Sequence, residues 1–323
     1  MKRILLIMWI MALALLLCAS CSAAEPVRVL CLKGPTGMGL AKLMEDSEQG
    51  RTENRYMFRV VSTPEEVVTA LARGEVDVAA MPSNMAAILW NRTRGSIRLL
   101  SVNTLGALSI LERGDAIHSI ANLRGRTLLA AGRGAAPEFG LNYLLRQNGL
   151  EPGMDCRVEW LSEHAEVLSH LAAGKGDACL LPYPFAAVAM AKVEGLREAL
   201  SLAEEWHKLG NGSEFVMGVN AARREFVEEH GGEVSAFLRE SRASAEYVNA
   251  HPGEAAELVV KRGIFNNTAL VERAIPHCGI TAMTGPGMRD AVNCYLQALF
   301  EAEPRSVGGA LPDEGFYYDD PND

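Results

Sequence analysis

The sequence predicts an α/β protein with two lobes joined by a two-strand hinge, and two observations lead to this prediction. Short apolar runs alternate with segments of helical spacing along the chain, an order typical of parallel sheets covered by helices. In addition, residues 62–90 and 162–190 share ten identities over 29 aligned positions, without a gap. The offset of 100 residues between the two copies is too long for a solenoid repeat of roughly 20 to 50 residues. We therefore expect each copy of the repeat to belong to one lobe.

The first copy has a clear order of elements. A short apolar run at 27–32 and a glycine loop at 34–37 lead into a helical stretch from Met38, and residues 56–61 are rich in strand formers. Thr63-Pro64-Glu65-Glu66 combines a cap residue, proline at the first helical position and glutamate at the third, which predicts a helix start. That helix runs to Ala72 and ends at Gly74, before a buried strand at 76–81.

The second copy repeats this order. Its predicted elements are a strand at 127–131, a glycine loop at 132–136, a helix from Pro137, a strand at 157–161, a helix at 165–173 and a strand at 178–181.

Two further segments predict the hinge. The apolar stretch 97–111 would carry the chain from the first copy to the second, and a strand at 215–219 would bring it back. Helical spacing follows at 226–250, 252–261, 268–275 and 286–301. If these helices pack on the first lobe, lobe I comprises residues 27–107 with 215–323, and lobe II comprises residues 108–214.

The N-terminus has the pattern of an export signal. Lys2 and Arg3 precede an uninterrupted apolar run at 4–17, which is short for a membrane span of about 20 residues. We interpret residues 1–20 as a signal peptide. Cleavage before Cys21 would leave its thiol for lipidation, so we expect an exported protein tethered to the membrane from outside the cytoplasm. An uncleaved anchor, or ordinary cleavage after Ala24, stays open.

Charge and cysteine content exclude other classes. The formal net charge is −9 and becomes more negative without Lys2 and Arg3, which argues against nucleic-acid binding. Beyond Cys21, five cysteines at irregular spacing fit neither a full disulfide framework nor a zinc site. We expect most of them to be core residues.

Four loops are expected to border one cleft, because ligands of open α/β sheets lie beyond the carboxyl ends of the strands. Helix starts and glycines in these loops would offer backbone N–H groups to an anionic oxygen. Arg133 could pair with a carboxylate or sulfonate, and Tyr183 and Phe185 could stack on a flat ligand. The predicted ligand-binding residues are Gly34, Thr36, Gly37, Met38, Ser83, Asn84, Gly132, Arg133, Gly134, Ala135, Tyr183 and Phe185.

Simpler interpretations stay open for several of these residues. Glycine occurs in any α/β turn, Arg133 could point into solvent, and Tyr183 and Phe185 could be packing residues, as we expect for Trp90. The loop at Gly132 lacks the third glycine and the acidic residue of a dinucleotide site. His277-Cys278 has no positioned third partner, and the histidines show no metal spacing. We expect no catalytic residue, no metal and no cofactor.

A resemblance to a known family rests on framework motifs. Residues 72–79 (ARGEVDVA), 123–127 (LRGRT), 144–150 (LLRQNGL) and 172–178 (AAGKGDA) resemble the substrate-binding proteins of ABC importers with the type II periplasmic-binding-protein fold. The greatest similarity is to the group serving nitrate, sulfonates, taurine and thiamine-precursor pyrimidines. It covers most of residues 27–300 and the ending at 311–318. The resemblance implies two lobes that close on a small molecule and hand it to a membrane permease.

This sequence also departs from that group. Gly132, Ala135 and Ala136 stand where many relatives offer Ser or Thr to an anion, which argues against a small oxyanion such as nitrate. The cysteine-rich iron motif of the pyrimidine-synthesising relatives is missing from the sequence. We therefore expect a monomeric binding protein for a small organic ligand that is anionic or planar, such as a sulfonate, a carboxylate or a pyrimidine. The alternatives are an enzyme of the menaquinone-pathway type and a ligand-sensing ectodomain.

Overall fold

The computed structural model describes residues 25–210 and 212–320. The predicted signal peptide and Cys21 lie outside the described residues. Among the described residues, no helix has the length and apolar character needed to cross a membrane.

The first copy of the repeat alternates strands and helices as predicted. Its elements are β1 (Val27–Leu32), α1 (Pro35–Met38), α2 (Ala41–Glu48), β2 (Tyr56–Val61), α3 (Pro64–Ala72), β3 (Val78–Pro82), α4 (Ser83–Thr93) and β4 (Ile97–Leu105). Helix α3 begins at the predicted proline, and the Thr63 hydroxyl donates to the Glu66 carboxylate (2.7 Å).

The second copy follows with β5 (Leu108–Arg113), a 3-10 turn (Ile120–Leu123), β6 (Thr127–Ala131), α5 (Ala136–Gln147), β7 (Arg157–Leu161), α6 (His164–Ala172), β8 (Ala178–Pro182), α7 (Phe185–Lys192), β9 (Leu196–Ser201) and α8 (Leu202–His207). The stretch 97–111, expected as one crossing, is split at Gly106 into β4 and β5, which lie in different sheets. A side chain on Gly106 would collide with the Cβ of Ala203 at 2.3 Å, so the chain can turn there because glycine leaves the space.

The rest of the chain is mostly helical. It comprises β10 (Val216–Arg223), α9 (Arg224–Glu229), α10 (Gly231–Ala250), α11 (Pro252–Lys261), α12 (Thr268–Ala274), a 3-10 turn (Ile275–His277), β11 (Ile280–Met283), α13 (Gly285–Ala302) and two further 3-10 turns (Pro304–Val307, Glu314–Phe316). The helix predicted from residue 226 begins earlier and is interrupted at His230.

The two sheets have matching topology. The first has the order β11-β4-β10-β3-β1-β2, and the second has the order β7-β6-β8-β5-β9. In the first sheet, β1 lies between its parallel neighbours β2 and β3, and antiparallel β10 pairs with β3. In the second sheet, β6 lies between its parallel neighbours β7 and β8, and antiparallel β5 pairs with β8. Strand β10 thus occupies the place that β5 has in the second sheet. Without β11, the two sheets correspond strand for strand.

Asp77 and Asp177 occupy equivalent places in the two sheets. The Asp77 carboxylate accepts the backbone N–H of Arg28 (2.9 Å), and the Asp77 N–H donates to the carbonyl of the same residue (2.9 Å). Asp177 makes the same pair of bonds with Thr127 (2.7 and 2.8 Å). The equivalence supports a duplication of the strand–helix–strand unit.

An aromatic cluster joins α5, α8 and α13 beside Phe215, where the chain returns to the first sheet. Trp206 of α8 packs against Tyr143 of α5, against Phe215 and against Tyr295 of α13, with ring centroids 4.7 to 5.3 Å apart. Phe215 also approaches Gly140, where a Cβ would meet the ring at 2.5 Å. Because Trp206, Phe215 and Tyr295 are fully buried, this cluster fixes the segment that leads into β10.

Candidate ligand-binding site

The chain passes from the first sheet to the second at Gly106 and returns at Phe215, and we call these two segments the crossings. A cavity of about 610 Å³ lies where they meet the second sheet. Gly106 and Phe215 border it from the crossings, Ser109 and Glu198 from the second sheet, and His277 from the turn before β11. The Gly106 N–H donates to the Phe215 carbonyl (2.9 Å), which holds the crossings side by side. The volume is in the range of small-molecule sites, about 300 to 1,000 Å³.

Glu198 is a polar group of this cavity whose carboxylate is held by two side-chain hydrogen bonds. One carboxylate oxygen accepts the hydroxyl of Ser109 and the other accepts the hydroxyl of Tyr183, both at 2.7 Å. Burial and this carboxylate raise the pKa of Tyr183, so the phenol stays protonated and donates. Two hydroxyls therefore fix the carboxylate in the cavity wall.

Tyr183 directly follows β8 of the second sheet and contacts the turn before β11 of the first sheet. Its ring stacks on His277 with centroids 4.8 Å apart and planes 16° apart, and the Tyr183–Pro184 peptide bond is cis. The Tyr183 side chain is almost fully buried, whereas His277 is exposed. Both residues border the cavity beside the Glu198 carboxylate, and His277 is the accessible member of the pair.

The remaining charged groups of the cavity are mainly acidic. Glu204 and Glu214 line it, and Glu214 pairs with His207 at 2.8 Å. None of the described lining residues is lysine or arginine. The electrostatic character of the wall is therefore negative.

Nearby basic residues are bound elsewhere. Arg197 precedes Glu198 on β9 but points to the opposite side, where it pairs with Glu112, as strand alternation requires. Lys208 pairs with the buried Glu205. Neither cation neutralises Glu198.

The first predicted loop is largely occupied by its own contacts. The N–H groups of Gly37 and Met38 donate to the Gly34 carbonyl at 3.1 and 3.0 Å, and the Thr36 hydroxyl donates to the Leu32 carbonyl at 3.2 Å. Gly37 and Met38 are buried. These residues do not line the cavity, and their role in binding stays a prediction.

The second predicted loop is also directed inward. Ser83 and Asn84 are fully buried. The Ser83 hydroxyl donates to the Val216 carbonyl (2.6 Å), and the Asn84 amide donates to the Ser306 carbonyl (3.2 Å). The Asn84 Oδ1 is buried and has no hydrogen-bond partner among the described residues. Both side chains tie α4 to other segments.

The third predicted loop lies at the start of α5. The N–H of Gly134 donates to the Glu138 carboxylate at 2.6 Å, and the N–H of Ala135 donates to the Gly132 carbonyl at 3.2 Å. Arg133 is exposed and makes no hydrogen bond or ion pair with residues that the structure describes. A carboxylate of the chain itself thus occupies one donor that an anionic ligand was expected to use.

Phe185 packs between the two halves of the chain. Its ring contacts His164 (centroids 5.0 Å apart) and Phe265 (5.5 Å). Burial lowers the pKa of His164 to about 4, so this imidazole is neutral at pH 7. Trp90 is buried against Phe316 (5.5 Å), as expected of a core residue.

Of the twelve predicted residues, Tyr183 is the one that lines the cavity. Sequence reasoning did not find Glu198, which lies on β9, a strand that was not predicted. His277 lies outside the residues that the sequence predicts for ligand binding. No local motif marks either residue, because long-range strand pairing brings them together.

The cysteines are consistent with core packing. Among the described residues, Cys31, Cys156, Cys179 and Cys278 are buried and Cys294 is exposed, and none of the five forms a disulfide. Burial raises the pKa of Cys278, which keeps its thiol protonated beside His277. The described residues contain no group of three His, Cys, Asp or Glu side chains that could hold a metal ion.

The same architecture occurs in solved structures. An ABC transporter from Parabacteroides distasonis matches over 91% of this chain and 99% of that chain, with 24% identity and a TM-score of 0.77. The periplasmic aliphatic sulphonate binding protein SsuA from Escherichia coli matches over 92% and 93%, with 19% identity and a TM-score of 0.75. These similarities confirm the type II periplasmic-binding-protein fold.

Sequence comparison adds the family. No curated protein matches this chain significantly. A family model described as menaquinone biosynthesis matches residues 151–291. The model described as "ABC transporter, phosphonate, periplasmic substrate-binding protein" matches residues 45–212, more than half of the chain. The chain therefore belongs to this family of periplasmic substrate-binding proteins of ABC transporters.

Proposed function

We propose that this protein captures a small organic molecule in the cavity beside Tyr183 and Glu198 and delivers it to the permease of an ABC importer. The observation that supports this site is the meeting of both crossings at a cavity whose wall carries a fixed carboxylate and an aromatic pair. A movement of one sheet relative to the other would change this cavity directly.

We further propose that residues 27–107 with 215–323 form one lobe and residues 108–214 the other. The strands support this division, since the second sheet takes all its strands from Leu108–Ser201. The hinge would comprise Gly106 with Ala107 and the segment before β10. X-ray scattering should show a smaller radius of gyration when ligand is bound.

The stacked rings of Tyr183 and His277 support the planar ligand of our sequence-based expectation. The exposed His277 ring borders the cavity, and aromatic side chains line many small-molecule sites. Arg133 remains the candidate for an acidic ligand group, because it is exposed and without an ion-pair partner in the described chain. Substitutions of Tyr183 and of Arg133 therefore test the expectation of a planar ligand and the expectation of an anionic ligand separately.

Release of the bound molecule from purified protein, followed by mass spectrometry, would identify the ligand. Calorimetry should then show about a 10-fold or greater loss of affinity for Tyr183→Ala, because a ring contact and the donor to Glu198 are lost. Arg133→Ala is the matched test of the anionic alternative. Unchanged affinity in Tyr183→Ala would remove the cavity assignment.

We propose that binding leaves the ligand chemically unchanged. The buried Cys278 thiol beside His277 is held in its protonated, unreactive form. The match to the menaquinone-biosynthesis model supports an enzyme as the second candidate. Incubation of the released ligand with pure protein distinguishes the two, since any turnover would favour the enzyme.

We propose that the mature chain begins at a lipid-modified Cys21 and is held at the membrane by its acyl chains. The apolar run at 4–17 and the small residues Ala19 and Ser20 support this anchor. Palmitate labelling in a bacterial host should mark the wild type and leave Cys21→Ala unlabelled. Equal labelling of both proteins would show that the anchor is wrong.

A further inference from the structure

The charge of the proposed cavity is unusual for a protein whose relatives are described as binding anions. Solved structures with this fold include an aliphatic sulphonate binding protein and a nitrate-binding protein, and the matching family is that of phosphonate transporters. An anion site normally offers arginine, lysine or several unoccupied N–H groups. The described lining of this cavity contains three glutamates and neither lysine nor arginine.

Glu198 is central because its charge is held in place without a cation. Its two oxygens accept one hydroxyl each, from Ser109 and Tyr183, and no basic residue pairs with it in the described chain. A carboxylate has about four acceptor sites, so each oxygen can accept a further hydrogen bond. A half-buried charge with acceptors to spare favours a donor that is itself charged.

The alternating side chains of β9 make this arrangement specific. Arg197 is directed to Glu112 on one side of the strand, and Glu198 is directed into the cavity on the other. Exchanging the two directions would place a guanidinium in the cavity. The strand register therefore excludes the basic group and retains the acidic one.

The loop at 132–136, which was expected to receive an anion, also argues against an anionic ligand. Glu138 already accepts the N–H of Gly134, so a chain carboxylate takes a donor at the start of α5. A ligand anion would have to displace it.

From the charge of the cavity and the uncompensated Glu198, we infer that the ligand is an organic cation, an amine or amidine attached to a flat ring. The cationic group binds Glu198, and Glu204 and Glu214 add to the attraction. The ring lies against His277, the exposed member of the stacked pair with Tyr183. This inference rests on the proposed function, because it assigns the ligand class of the same cavity.

The test uses three probes with one ring and different charge: benzylammonium, benzyl alcohol and benzoate, mixed in equal amounts. Saturation-transfer NMR with the full mature chain detects millimolar binding. We expect the strongest transfer to benzylammonium and little to benzoate. Glu198→Gln should weaken benzylammonium binding about 10-fold or more, since it loses a charged hydrogen bond.

Two variants control for folding. Glu194→Gln changes an exposed acid in the turn before β9 that does not line the cavity, and it should bind like the wild type. Glu204→Lys adds a positive charge on an exposed part of the cavity wall, so it should weaken benzylammonium binding even if Glu198→Gln fails to fold.

The outcomes separate the two proposals. Preference for benzoate, or equal benzylammonium binding in wild type, Glu198→Gln and Glu204→Lys, would overturn the cationic ligand and leave the cavity as the proposed site. If none of the three probes shows transfer, the cavity itself is wrong as the ligand site, and the proposed function must be placed elsewhere in the chain.

Discussion

The two copies of the repeat share a framework and differ at the loops that follow β3 and β8. Pro82 and Pro182 end β3 and β8 at matching positions. In the first copy, Ser83 and Asn84 follow and bind backbone carbonyls of the protein interior. In the second, Tyr183 follows and faces the cavity. The loop of the first copy thus binds backbone carbonyls, whereas the loop of the second copy places the Tyr183 side chain in the cavity wall, bonded to Glu198 and stacked on His277.

The paired aspartates differ in a similar way. Asp77 is buried and pairs with Arg28 (2.6 Å) and Arg223 (2.9 Å). Asp177 is exposed and keeps the backbone bonds to Thr127 without an arginine partner in the described chain. Arg223 lies at the end of β10, so Asp77 also ties the returning strand to the first sheet. The first copy carries the structural connections between distant segments.

The two aspartates should differ strongly in how much they contribute to the stability of the fold. Asp77→Asn should lower the free energy of unfolding by about 3 kcal/mol, because two arginines lose their buried partner. Asp177→Asn should cost less than about 1 kcal/mol at its exposed position. Urea denaturation of the two variants measures the difference, and equal losses would contradict the unequal roles of the two copies.

The loops allow a second comparison. Ser83→Ala should lower stability by about 1 to 2 kcal/mol, because the Val216 carbonyl loses a buried donor, and should leave ligand affinity within about twofold of the wild type. Tyr183→Ala should instead lower affinity. Denaturation and calorimetry on both variants would contradict our interpretation if Ser83→Ala weakened binding as much as Tyr183→Ala.

The pH dependence of stability provides a further test of the role of Asp77. Burial alone would raise the pKa of Asp77, but hydrogen bonds from Arg28 and Arg223 outweigh it and lower the pKa below its usual value. The stabilisation is therefore complete above the unfolded pKa of about 3.9 and is lost as pH falls through the lower folded value. The stability difference between wild type and Asp77→Asn should shrink below about pH 4. A difference that grows on acidification would be inconsistent with the lowered pKa.

The sequence predicted the repeated framework well because local signals define it. Thr63-Pro64 marked the start of α3, and the alternation of apolar runs located β1, β3, β6 and β8. The position of β5 was harder to predict, because 97–111 is largely apolar on both sides of Gly106 and nothing in its pattern shows that this glycine separates two sheets.

The cavity was less predictable than the framework. Tyr183 could be proposed from the loop after β8, whereas Glu198 belongs to a strand whose partners are set by the crossing between sheets. His277 reaches Tyr183 across almost one hundred residues of chain. Contacts of this kind depend on tertiary pairing and leave no spacing in the sequence.

We propose that the ligand binds in the cavity at Tyr183 and Glu198. A crystal structure of the full chain, purified together with its natural ligand, would show this site. We expect electron density for the ligand beside the Tyr183 ring, with a hydrogen bond to the Glu198 carboxylate. Ligand density between Thr36 and Arg133, with water alone in the cavity at Glu198, would contradict our account.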